Sequence, residues 1–188
     1  MKFSLSATYT VPGTADPVAT YEDQCIENVD YYRGLHDALG YDVDIVRNEM
    51  HDGKFVREAV VHPRPEAVPL AVKAFLGSDG LDYRETLTYD PKTHSGITEN
   101  TCIGAGLRGK VSAKSGFTLR SAAPFAPRNV SFVSNNEITA KMWLIGGQVE
   151  KTMAKELKTK VGQVESFSQE WLDSHVSPNT DVSERRVA

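Results

Sequence analysis

Chemically reactive side chains are scarce in this chain of 188 residues. Its only cysteines, Cys25 and Cys102, stand far apart and belong to no CxxC pair or Cys/His ligand spacing, so a zinc module is excluded and buried thiols are expected. The histidines, His36, His51, His62, His94 and His175, never pair at a ligand interval such as His-x-x-x-His, and all are expected at the surface. Neither a metal nor a cofactor is expected. A basic surplus is missing too: 21 Lys and Arg stand against 25 Asp and Glu, a formal net charge of −4, which argues against nucleic acid as a partner. No apolar run approaches the roughly eighteen residues of a membrane-spanning helix, and the first residues alternate instead of forming a signal-peptide core. A cytoplasmic location without integral membrane association is expected.

What is present is an ordinary globular composition, 40% hydrophobic and 24% charged, in a length that suits one domain with a core and space for a cavity. Phe3, Leu5, Ala7 and Tyr9 alternate with polar residues and predict a half-buried strand closed by Pro12 and Gly13. Asp16 before Pro17 opens a helical region with the stripe Ile26, Val29, Leu35 and Leu39, ended by Gly40 and divided or bent at Gly34. Tyr41, Val43, Ile45 and Arg47 form a second strand, which Asp52 and Gly53 turn into a third over Phe55 to Val61. After Pro63, Pro65 and Pro69 a short helix is expected over Leu70 to Leu76, stopped by Gly77.

Four more strands follow. Leu81, Tyr83, Leu87 and Tyr89 share one parity with Glu85, and Ile97 and Ile103 place Glu99 and Thr101 on their face. Val111, Ala113, Phe117 and Leu119 mark the next; Val130, Phe132, Ile138, Ala140 and Met142 mark the last, after a proline-bearing loop over Ala122 to Arg128. Gly104, Gly106 and Gly109 imitate a phosphate loop, but no helix follows them, so a strand-to-strand turn is expected.

Behind Gly146 and Gly147 the apolar residues Val149, Met153, Leu157, Val161, Val164, Phe167 and Trp171 recur every three or four positions. They predict one amphipathic helix to Asp173, roughly 40 Å long, which needs a broad apolar surface beneath it. The double glycine is expected to allow positive φ or a close backbone approach at the strand-to-helix junction. The domain is expected over residues 1–174, with a disordered tail over 175–188. Strand, short helices, hairpin, four strands and a long helix make an α+β fold whose one-sided antiparallel sheet the last helix covers.

This order resembles the helix-grip fold of the START-like (SRPBCC, Bet v 1-like) superfamily. The resemblance is more specific at Phe75, Leu76 and Gly77, at Tyr83, Arg84 and Glu85, at Leu107, Arg108 and Gly109, and at residues 144–150 (LIGGQVE). There the chain looks like an uncharacterised START-like family mainly of actinobacteria. It departs from that family in the Ala122 to Arg128 loop and in having Met142 and Trp143 where proline is usual. The resemblance implies a curved antiparallel sheet of about seven strands wrapped around the long helix, with a cavity between them, and it implies no particular reaction.

An inward carboxylate needs a partner or a raised pKa, so Glu85, with Tyr83 and Arg57 as orienting neighbours, is the candidate for catalysis. A second acid at Glu99 would divide acid and base duties with it. Cavity-lining candidates are Tyr83, Glu85, Leu87, Tyr89, Glu99, Thr101, Phe117, Phe132, Met153 and Leu157. Met142, Trp143 and Trp171 are expected in the core. With no serine-nucleophile elbow, binding of a hydrophobic small molecule or lipid is the leading expectation. A cavity enzyme of cyclase, hydratase or hydrolase type, or an interaction module, is the alternative, in a monomer or homodimer.

Overall fold

The computed structural model describes residues 1–68, 73, 81–104, 106–122, 128–143 and 145–176. Apart from Lys73, the short helix expected over Leu70 to Leu76, the Phe75 to Gly77 segment, most of the proline-bearing loop and residues 177–188 therefore lie outside the described residues.

Seven strands form one antiparallel sheet: β1 (Lys2–Thr10), β2 (Tyr41–His51), β3 (Lys54–Pro63), β4 (Tyr83–Asp90), β5 (Ser95–Cys102), β6 (Val111–Ser121) and β7 (Asn129–Ala140). Strands β2 to β7 follow one another as a meander, and β1 closes the far edge beside β7, giving the order β1-β7-β6-β5-β4-β3-β2. Asp52 and Gly53 both adopt positive φ in the tight turn between β2 and β3, as a two-residue hairpin requires. In β2 the register shifts between Ile45 and Arg47; the bulge turns Val46 outward, 68% exposed, and brings Asn48 to the concave side.

Between β1 and β2 the chain forms α1 (Pro17–Tyr21), a π-helical turn over Glu22–Glu27, and α2 (Val29–Ala38). Asp16 caps α1 by accepting the Ala19 amide. The division expected at Gly34 falls at Asn28, whose extended backbone interrupts the helix and whose side chain caps α2 by accepting the Asp30 and Tyr31 amides. Gly34 serves packing instead: a Cβ there would sit 3.0 Å from Phe167 Cζ.

The long helix α3 (Gly146–His175) runs across the concave face, two residues past the expected Asp173. Val176 beyond it is buried in the core, inside the segment expected to be tail. The two junction glycines differ. A Cβ on Gly146 would lie 2.3 Å from the Ala140 carbonyl oxygen, whereas one on Gly147 meets nothing within 4 Å. Neither has positive φ, so close approach is the reason, and only at Gly146. This curved sheet and its helix are the helix-grip arrangement expected.

The core has two parts. One gathers Tyr9, Val11, Tyr21, Tyr31, Leu87, Tyr89, Phe117, Leu119 and Val130 around Leu172 and Val176. The other joins Val68, Cys102, Leu107, Val111 and Ala140 to Val149, with Tyr83 and Met153 against it.

Candidate ligand cavity

At the second core the sheet and helix do not close on each other. A cavity of about 150 Å³ lies there, walled on the sheet side by Tyr83, Asn100, Cys102, Val111 and Ala113 and on the helix side by Met153, Glu156, Leu157 and Lys160. Tyr41, Pro63, Ala67, Leu81 and Ser112 also line it among the described residues. The size of the sheet residues explains the space. Along the same strands, the inward positions nearer the C-terminal half of α3 carry Leu87, Tyr89, Phe117, Leu119 and Phe132, and those under its N-terminal half carry Asn100, Cys102 and Ala113.

Polar groups edge the cavity. Lys160 Nζ donates to the Tyr41 hydroxyl at 2.6 Å and the Leu39 carbonyl at 3.1 Å, which ties α3 to the end of α2. Tyr83 is half-buried because the cavity reaches it; burial, and next the Glu85 charge, hold its hydroxyl well above the usual pKa of 10.0. Its phenol keeps its proton at neutral pH. Burial likewise pushes the Cys102 thiol up to about 11, which makes it an inert wall group and not a nucleophile. Asn100 Oδ1 is buried and has no hydrogen-bond partner among the described residues.

Behind this wall lies a polar chain. The Tyr32 hydroxyl donates to Glu85 at 3.0 Å, and the Arg57 guanidinium stacks 4.3 Å from the Tyr32 ring centroid. Arg57, 3% exposed, donates Nε to Asn48 Oδ1 at 2.7 Å and Nη2 to the Ile26 carbonyl at 2.8 Å. It thus satisfies carbonyls where the π-helical turn ends, a use that holds residues 22–28 against the sheet. The partner expected for Glu85 was Arg57; Tyr32 stands between them.

The candidate residues separate accordingly. Tyr83, Met153 and Leu157 meet at the cavity. Glu85 faces inward beside it, engaged by Tyr32. Leu87, Tyr89, Phe117 and Phe132 belong to the packed core, where the Tyr89, Phe117 and Phe132 rings stack at 5.8 and 5.1 Å. Glu99 and Thr101 are on the outer face: both are exposed, and Glu99 pairs with Lys114 at 2.7 Å. The inward row of β5 is Gly96, Thr98, Asn100 and Cys102, so Asn100, not Glu99, stands opposite Glu85. Glu85 and Glu99 do not share a pocket.

Other expectations also change. Trp143, expected in the core, is 89% exposed. His36, expected at the surface, is buried with Nδ1 2.9 Å from the Tyr32 carbonyl oxygen, and burial lowers its pKa below 6.5. Glu22, fully buried, bonds to the Tyr89 hydroxyl and to His94. Nothing in the sequence singled it out, because a lone glutamate in a helical segment reads as solvated. Asn100, Tyr41, Glu156 and Lys160 were missed as well. A polar residue on an inward strand parity was the available signal for Asn100.

A curved antiparallel sheet gripping a long C-terminal helix defines the helix-grip fold, and solved structures share it. TTHA0849 from Thermus thermophilus aligns with a TM-score of 0.58 over 94% of this chain and 100% of that one, at 12% identity. Norcoclaurine synthase from Thalictrum flavum gives 0.56 over 93% and 88%, also at 12% identity, and Ara h 8.0201 gives 0.54 over 93% and 98%, again at 12%. At such identity the likeness is one of fold. No curated protein matches the sequence. The chain belongs to the family described as Protein of unknown function (DUF2505), whose model matches residues 8–172.

Proposed function

We propose that this protein binds a hydrophobic small molecule in the cavity beneath the N-terminal half of α3, as a carrier or receptor and not as a catalyst. The cavity itself carries the reading: about 150 Å³ walled largely by Leu81, Cys102, Val111, Ala113, Met153 and Leu157. Apolar space of this size accommodates about one benzene-sized ring. No helix among the described residues is long and apolar enough to cross a membrane, and we read the protein as a cytoplasmic one of a mainly actinobacterial family.

The catalytic alternative has less behind it. The groups that would carry it do not converge on the cavity: Glu85 is engaged by Tyr32, Arg57 by backbone carbonyls, and Tyr83 alone of the three lines the space. Native mass spectrometry of the purified protein and calorimetric titration with benzene test the binding reading. Benzene should bind to the wild-type chain, and Ala113→Leu, which fills the cavity from the sheet side, should abolish binding without unfolding the protein. Undiminished binding in that variant would place the benzene elsewhere and defeat the assignment.

A further inference from the structure

We propose that the molecule held in this cavity carries a hydrogen-bond donor, a hydroxyl or amine on a body the size of one ring, and that the Asn100 amide receives it. The inference rests on the cavity being a ligand site. Asn100 lines the space on the inward face of β5, and its buried Oδ1 lacks a partner among the described residues. Native interiors seldom leave an acceptor in that state, because it has given up water for nothing.

Among the described residues no wall group donates to Asn100 Oδ1. Leu81, Val111, Ala113 and Met153 have none to offer from their side chains. Lys160 turns two of its three donors to Tyr41 and Leu39 and none to Asn100 Oδ1. Tyr83 keeps its proton yet makes no bond to Asn100 Oδ1. Across the strand pair stands Glu85, an acceptor already engaged by Tyr32. Where it stands Oδ1 is sealed off, and half a turn about the terminal side-chain torsion, which exchanges the amide oxygen and nitrogen without backbone movement, brings the acceptor to the cavity. A hydrocarbon would fill the volume and leave the oxygen unpaired; a donor-bearing ring satisfies both.

Calorimetric titration of the wild-type chain with phenol, toluene and anisole tests this, since the bodies are alike and only phenol donates. Phenol is expected to bind about tenfold more tightly than the other two, and Asn100→Leu should erase the preference. Toluene bound as tightly as phenol would overturn the donor and leave the cavity reading standing. If none of the three binds, both fall. A phenol preference that survives in a folded Asn100→Leu, checked by circular dichroism, would remove Asn100 as the receiving group. The wild-type comparison decides the donor even where the variant fails to fold.

Discussion

The two halves of α3 carry one continuous apolar stripe and use it differently. Toward the C-terminus, Phe167, Trp171 and Leu172 pack against Tyr31, and α2 fills the concavity between helix and sheet. Toward the N-terminus, Met153 and Leu157 face small or short sheet residues across open space. The same helical pattern therefore closes a core at one end and roofs a cavity at the other. What distinguishes the ends is the opposing surface: aromatic rings on β4, β6 and β7 in one case, Asn100, Cys102 and Ala113 in the other. Gly96 belongs to the first arrangement, since a Cβ there would lie 2.4 Å from Phe117 Cζ.

Truncation at each end should separate the two uses most sharply. Leu172 is fully buried and Leu157 is 41% exposed, so Leu172→Ala is expected to cost about 2–5 kcal/mol in denaturant unfolding and Leu157→Ala less than about 1 kcal/mol. Equal losses would mean that the N-terminal half is as tightly packed as the other. The junction glycines give a smaller contrast. Gly146→Ala drives a methyl into the Ala140 carbonyl and should destabilise by about 1–3 kcal/mol, while Gly147→Ala has room and should be neutral or stabilising by up to about 1 kcal/mol.

The smallest effect concerns pH. His36 is buried between the two regions, against the Tyr32 ring at 4.1 Å and near Tyr41 at 6.0 Å. Its folded pKa lies below the unfolded value of 6.5, with burial the leading cause, Glu85 opposing it and Arg57 adding to it. The unfolded chain thus binds the proton first. The contribution is complete above about pH 6.5 and falls as the pH drops below that value. Thermal unfolding temperatures measured at pH 7.5 and 5.5 should decline toward acid, and His36→Phe should shrink the decline; an unchanged slope in that variant would assign the acid sensitivity to other groups.

Strand β5 shows where reading from sequence stops. Its one large apolar residue, Ile97, suggested the inward parity and carried Glu99 and Thr101 with it. Ile97 is instead 44% exposed, because the inward row must be small where it passes under Phe117 and where it walls the cavity. A strand whose inner side chains are Gly96, Thr98, Asn100 and Cys102 has no hydrophobic alternation to read, and an error of one residue reverses every side chain. Strand β4 was legible because Leu87 and Tyr89 mark its buried face plainly.

Local chemistry by itself determined the elements of this protein: the turn at Asp52 and Gly53, the cap at Asp16, the seven strands, and the amphipathic helix behind the double glycine. Those signals act over a few residues and need no partner. Which face of β5 turns inward, why Gly146 and not Gly147 is required, why Arg57 and His36 are buried, and that Asn100 carries an unpaired oxygen were decided only by tertiary structure. Each depends on the volume and hydrogen-bonding capacity of a surface distant in the chain.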